Sequence, residues 1–333
     1  MYRCRSYPAS YCPAPCPKKE DRQPLFESVS ASQVTRRRLL SLSVGLMFVA
    51  VLDACQSPQT PAAAPTAVNP LIKPKATTGA ELTPVLASSE LALGRNRFAI
   101  GLIDAQNQPV TSGQVHIEFF KIDRQTAEKR SEADAVFRAL ELQNKGIWVA
   151  PTNFDVIGPW GGQVTVTPTD GPPKVARLNF DVRERFSAPG YGDPAPRSAS
   201  PTLPDVGGDA SRLCTNQPPC GLHDLSIADA LQPAQKPLVV AFATPAFCTS
   251  ALCGPELGSV LKLRDGYADR VNFVHVEIYQ YPFEQQKTAK TVDEWHLPSE
   301  PWVFMVDRDG VVRDRFEGSA PLDELEPALK TLA

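Results

Sequence analysis

The stretch PLVVAFATPAFCTSALCGPELGSVL, Pro237 to Leu261, decides how the C-terminal third of this chain is read. It opens with an apolar run of the kind a fully buried strand carries. It then passes through Thr244-Pro245, sets Cys248 and Cys253 five positions apart, and continues with Leu257, Val260 and Leu261 at helical spacing. In an unbroken helix, residues five apart lie about 8.5 Å from each other at Cα. A disulfide spans at most about 7 Å. The pair can therefore bridge only if Cys248 lies ahead of the helix or if the first turn unwinds on oxidation. Pro255, which has no N–H to donate, is expected to weaken the helix nearby and make such a bridge reducible. Three readings stand: a redox-active dithiol, a static bridge, or two buried thiols that never meet. In the first, Cys248 at the positive end of a helix is the low-pKa nucleophile and Cys253 resolves it.

Outward from this stretch the grammar is mixed. HDLSIADAL (223–231) reads as a short helix and VNFVHVEIY (271–279) as a second strand. WVFMVDRDG and VVRDRFEG form a hairpin about Asp309-Gly310. Leu322, Leu325, Leu329 and Leu332 line one face of a last helix, and the segment from Thr249 to Tyr267 has helical spacing through Leu257, Val260, Leu261 and Arg264. This order suits a small α/β sandwich.

PLVVAFATPAFC leading into a helix, followed by EPWVFMVDRDGVV, resembles the thioredoxin superfamily over roughly residues 225–333. The resemblance implies a redox cysteine after the first central strand, at a helix N-terminus. It also implies a proline, usually cis, that precedes the hairpin strand and faces the cysteine; Pro301 in Glu300-Pro301-Trp302 holds that place, and Pro255 that of the kink proline. The C-x4-C spacing with Thr-Pro before it is similar to peroxiredoxin Q, in which the first cysteine reduces peroxide and the second resolves it. That pattern needs a threonine three residues before its cysteine, whereas Thr244 stands four before. If the resemblance holds, His296 in WHLPSEP approaches Cys248 and aids proton transfer to a leaving thiol; an exposed loop histidine is the alternative. Exchange through such a pair calls for no metal or organic cofactor.

The N-terminus bears on redox compartment. Arg36-Arg37-Arg38 precedes LLSLSVGLMFVAVL (39–52) and then Leu52-Asp53-Ala54-Cys55. Fourteen residues are too few for a bilayer that needs about 20 in helix, so an export signal is expected rather than a transmembrane span. The arginines resemble a twin-arginine signal, and the ending resembles a bacterial lipobox, in which Cys55 is lipidated at the membrane. No role falls to Cys4, Cys12 or Cys16. Disulfides persist outside the cytoplasm. With Cys55 lipidated, four cysteines remain, and they pair naturally as 214–220 and 248–253.

Cys214-TNQPP-Cys220 is a tight proline-containing loop. It reads as a bridge pinning the preceding segment to the fold, or as an auxiliary dithiol relaying electrons to Cys248. With His223 it gives C-x5-C-x2-H, which suits copper or zinc, although no fourth ligand is evident and no metal site is assigned. His275, alternating with Val274 and Val276, reads as structural, and Glu277 falls near a strand end.

Residues 82–185 have a β pattern. Phe98, Ile100 and Leu102 alternate, as do Val115, Ile117 and Phe119, and GIWVAP, QVTVTP and ARLNFDV are each short and bounded by Gly or Pro. This predicts an antiparallel sandwich similar to immunoglobulin-like accessory domains of exported proteins, with His116 a solvated surface residue. Proline, 33 residues in all, is dense in two connecting stretches, 56–79 and 188–211, and a net charge of −3 without a basic stripe gives nucleic acid no footing. The expected organisation is an export signal and lipobox (1–55), a Pro/Ala-rich tether (56–81), a β-sandwich domain (82–185), a linker (186–212) and a thioredoxin-like α/β domain (213–333). The expected function is extracytoplasmic thiol–disulfide exchange with protein thiols and disulfides, on the outer face of a bacterial membrane. The alternatives are a thiol peroxidase and a non-catalytic copper-binding or delivery lipoprotein. Oligomeric state is not legible.

Overall fold

A computed structural model of the protein describes residues 81–124, 126–139, 146–232 and 236–332; the expected export signal, Cys55 and most of the tether lie outside them. Among the described residues no helix is long and apolar enough to cross a membrane. Seven strands come first: β1 (Leu82–Leu86), β2 (Gly94–Asp104), β3 (Gln114–Asp123), β4 (Thr126–Ala139), β5 (Gly146–Phe154), β6 (Gly158–Thr167) and β7 (Lys174–Val182). They form one antiparallel sheet in the order β1-β2-β5-β4-β3-β6-β7. An immunoglobulin-like sandwich has two separate sheets, and this arrangement differs from it. The long strand β4 pairs with β3 from Thr126 to Ala135 and with β5 from Val136 to Ala139, so it carries the ladder from one half to the other. The sheet curls, as long twisted sheets do, and its alternating apolar residues meet in a single core. There Phe98 packs on Phe119 at 5.0 Å and on Phe180 at 5.1 Å, and Phe154 on Trp160 at 4.9 Å between ring centres. The two ends of the sheet approach each other where Leu93 donates its N–H to the Arg183 carbonyl. His116 sits on the solvent side of β3 with its Nδ1 2.7 Å from Asp134.

The second part is a four-stranded sheet of β8 (Leu238–Ala243), β9 (Asn272–Glu277), β10 (Trp302–Val306) and β11 (Val312–Glu317), in the order β11-β10-β8-β9. β8 and β9 are parallel and the β10–β11 hairpin is antiparallel, turning at Gly310, whose φ of 79° suits glycine. β8 and β10 are buried along their whole length, because helices cover both faces. On one face Val239, Ala241, Val303 and Met305 meet α2 (Cys253–Tyr267) and α4 (Leu322–Lys330) through Leu257, Val260, Leu325 and Leu329. On the other, Val240, Phe242, Trp302 and Phe304 meet α1 (Ile227–Ala230) and Trp295, which follows α3 (Lys290–Glu294). Ser226 opens α1 with a reciprocal cap to Asp229.

The segment 186–212, expected as a linker, is laid on this second part. Ala188 and Ala195 are buried against the Trp302/Phe304 face. Gly192 and Ala195 donate their N–H groups to the Val312 and Gly310 carbonyls at 2.8 Å, extending the hairpin edge. Arginine–carboxylate pairs hold the two sheets together. Glu90 accepts from Ser187 and pairs with the buried Arg315 at 2.7 Å; these partners outweigh burial and hold its carboxyl below the ordinary value. Arg97 on β2 takes Glu324 of α4 bidentately at 2.8 and 2.9 Å and reaches the Glu317 carbonyl. Removing one partner of such a buried pair costs about 3–5 kcal/mol, since the other charge is left desolvated. Composition alone hides this, because proline-rich segments look the same whether they float or dock.

Candidate functional site

The first helical residue of α2 is Cys253, so Cys248 stands ahead of the helix, in the turn that follows β8. The expectation of a helix from Thr249 is corrected accordingly. Residues 248–252 instead turn sharply, with Ala251 in the left-handed region at φ 59°. No helical turn has to unwind for the sulfurs to meet. Pro255 is the third residue of α2, where its missing N–H is one the helix leaves unbonded anyway, so it starts the helix rather than weakening it.

Leu252, at the N-cap position, offers no side-chain cap. The Cys248 sulfur takes that role, accepting the Cys253 N–H at 3.2 Å, with Ser250 Oγ 3.3 Å away. Hydrogen bonds from the Cys253 thiol, from Ser250 and from backbone N–H groups outweigh burial and lower Cys248 to about 5. The helix dipole acts in the same direction. Cys253 is moved the opposite way, upward, by its hydrogen bond to Cys248 and by burial. Cys248 is half-buried and reachable, whereas Cys253 is 0% exposed. Both are thiols.

Pro301 is buried directly before β10, its bond to Glu300 is cis, and its carbonyl accepts the Gly318 N–H at 2.9 Å. The neighbouring Glu300 closes on the thiols: a carboxylate oxygen and both sulfurs lie within 4.8 Å of one another. Burial and the charge of Cys248 push its carboxyl above the ordinary value. His296, expected here, is exposed in a left-handed turn after α3, at φ 49°. The titratable side chain that the structure brings to the thiols is Glu300 instead. The sequence signal for Glu300 was its place beside Pro301.

The second pair is built differently. Cys214, Cys220, His223 and His275 are all buried, and their sulfur and nitrogen atoms lie within 4.8 Å of one another. Cys220 Sγ is 3.4 Å from His223 Nε2 and 3.3 Å from His275 Nδ1, and Cys214 Sγ is 3.7 Å from His275 Nδ1. His275, expected to be merely structural, thus faces both sulfurs from the middle of β9. The hydrogen bond from Cys220, with His223 and His275 adding to it, draws Cys214 far below an ordinary thiol, and the same bond and burial push Cys220 up. Both sulfurs are thiols. Beside them Glu277 accepts from Thr215 N at 2.9 Å and Oγ1 at 3.1 Å, and burial raises its carboxyl. Thr215 Oγ1 in turn accepts the Ala246 N–H at 3.1 Å, which ties this loop to the one carrying Cys248.

No family model and no curated protein matches the chain. Among solved structures, one assigned as the thiol:disulfide interchange protein DsbE from Chlorobium tepidum is similar over 44% of this chain and 99% of its own, at 16% identity and a TM-score of 0.32. An engineered protein is similar over 32% of this chain and 21% of its own, at 13% identity and a TM-score of 0.20. Both likenesses are slight, and the chemistry of the site stands on its own residues.

Proposed function

We propose that the protein is a thiol–disulfide oxidoreductase whose nucleophile is Cys248 and whose resolving thiol is Cys253. The observation that carries this reading is the contrast within the pair: a reachable sulfur lowered to about 5 at a helix N-terminus, against a sealed one raised beside it. The Cys248 thiolate attacks one sulfur of a partner disulfide, forming a mixed disulfide and releasing the other partner sulfur as a thiolate that takes a proton from water. Cys253 then loses its proton and attacks Cys248 Sγ. The Cys248–Cys253 bond forms, the mixed disulfide breaks, and the partner leaves as a dithiol, reduced by two electrons while this chain is oxidised by two. Glu300, with a carboxylate oxygen within 4.8 Å of both sulfurs, takes the Cys253 proton and returns it to the partner thiolate released from Cys248. Pro301 shapes the wall beside Cys248 where partner backbone would dock. The arginine-led apolar segment and Cys55 support export and lipid anchoring, which puts the exchange outside the cytoplasm.

The test is a single-turnover assay in which the reduced chain is mixed with a disulfide-bonded model protein. The unaltered chain should open the disulfide and end with a 248–253 bridge. Cys248→Ser should fall to the uncatalysed rate, and exchange at the unaltered rate in that variant would sink the proposal. Adding hydrogen peroxide in place of the protein disulfide separates a peroxidase from an exchanger, since only a peroxidase consumes it at a comparable rate.

A further inference from the structure

We propose that Cys214, Cys220, His223 and His275 form a closed tetrahedral site for one Zn²⁺ ion. The inference uses none of the residues assigned to thiol exchange, so each reading can fail without the other.

The dimensions of the cluster carry the argument. Zinc bonded to sulfur at about 2.3 Å and to nitrogen at about 2.0–2.1 Å in a tetrahedron sets its ligand atoms about 3.8 Å apart for sulfur–sulfur and about 3.5 Å apart for sulfur–nitrogen. The sulfur–nitrogen separations of 3.3, 3.4 and 3.7 Å run from two sulfurs to two imidazoles on two separate stretches of chain, the 214–223 loop and β9. A lone S–H···N hydrogen bond explains one such distance. It does not explain why both thiols and both rings turn their donor atoms to one point inside the core.

The shell around the cluster is built as well. His275 Nε2 lies 3.1 Å from the Ala243 carbonyl, which can only accept, so Nε2 carries the proton and Nδ1 is the nitrogen left to face the sulfurs. An imidazole held by a backbone carbonyl on its far side is the usual support of a metal-binding histidine. Cys220 points its own N–H at the Cys214 sulfur at 3.5 Å, and Arg264 caps the Cys220 carbonyl at 3.3 Å, so the loop already sits in its closed form. His275 N donates to the Leu222 carbonyl at 2.9 Å, fixing the segment that carries His223 against β9.

There is also a way in. A cavity of about 450 Å³ has His223, His275 and Glu277 on its wall and reaches the surface beside Tyr281. An ion entering through it meets the two imidazoles first. On binding it displaces the protons that now lie between sulfur and nitrogen, which makes the affinity fall as pH is lowered. Two thiolates and two imidazoles with no open position suit zinc held for structure rather than for catalysis. Cu⁺ shares the liking for sulfur, and the test separates the two.

The experiment uses the full chain, reduced with a phosphine, stripped with a chelator and then titrated. Zinc should bind at one ion per chain in competition with a chromogenic chelator. Cobalt(II) should give the intense visible d–d bands of a tetrahedral site together with a sulfur-to-cobalt charge-transfer band. Cys214→Ser/Cys220→Ser should abolish both signatures. His223→Gln, on the cavity wall, should weaken zinc by at least about 100-fold, the upper range for losing even an outer-shell partner. Cys248→Ser/Cys253→Ser should leave both signatures intact, and circular dichroism of each variant checks that it folds. Three results would overturn the proposal: no stoichiometric zinc on the reduced chain, a pale octahedral cobalt spectrum, or binding that survives loss of Cys214 and Cys220. A site that takes Cu⁺ against bicinchoninate but leaves zinc free would overturn the choice of ion.

Discussion

Two cysteine pairs sit in one half of this molecule, and their surroundings set them to different work. Cys248 and Cys253 stand at the mouth of α2, one sulfur reachable and one sealed, with a single carboxylate beside them. Cys214 and Cys220 are both sealed, with two imidazoles turned toward them. Asymmetric exposure and a helix N-terminus make a nucleophile with a partner to release it. Symmetric burial among nitrogen donors makes a binding cage. A thiol is thus assigned by its neighbours, and spacing along the chain, x4 in one case and x5 in the other, says little.

The largest expected effect that sharpens this contrast is on the resolving step. Cys253→Ser should leave the attack by Cys248 intact and halt the second step, so a mixed disulfide with the model protein accumulates and survives non-reducing electrophoresis. Cys214→Ser should accumulate none. Next in size, Glu300→Gln should slow release of the mixed disulfide by about 10²-fold, the lower range for a lost general base. Rapid acid-quench sampling would show it, and an unchanged release rate would remove Glu300 from the mechanism. A smaller effect concerns potential. A thiolate stabilised in the reduced form makes its disulfide more oxidising, so the 248–253 couple should fall between about −270 and −120 mV, the span from a thiol near 7 to one near 3.5. Equilibration with glutathione buffers would measure it.

The smallest effect is on stability. In the reduced chain Cys248 is lowered to about 5 from an ordinary 9. Between those values the unfolded chain binds a proton that the folded chain does not, so stability from this group rises with pH across the window. It is fully present above 9 and lost as pH falls through 5. The difference in denaturant midpoint between the reduced chain and Cys248→Ser should therefore grow from pH 5 to pH 9. A difference that stays flat would mean that the thiolate is not held by the fold.

Much of the second sheet was legible because β8 and β10 are continuous apolar runs and Asp309-Gly310 marks the hairpin. β4 was not. TAEKRSEADAVFRA is mostly exposed, and its inward side from Ser131 to Phe137 alternates through small residues, Ala133 and Ala135, that give little apolar signal, so its place in the sheet comes from its neighbours β3 and β5. The two readings of the 248–253 spacing were both legible, and only the local turn with Ala251 in the left-handed region decides that the cysteine precedes the helix. His275 escaped for a physical reason. Between Val274 and Val276 it looks like a core residue, and its partners lie 55 and 61 positions away in sequence. A fully buried imidazole must find polar partners somewhere, and that was the one signal available. His296 misled because a loop can bring a side chain near a site in sequence while the chain turns it outward.

The most direct measurement is the pH dependence of alkylation at each cysteine, read by mass spectrometry of the reduced chain with limiting iodoacetamide. Cys248 should react first, with a rate that rises through about pH 5 and then levels, while Cys214, Cys220 and Cys253 stay protected. A Cys248 rate still climbing at pH 8 to 9, or Cys214 labelled as fast as Cys248, would contradict the assignment of the nucleophile.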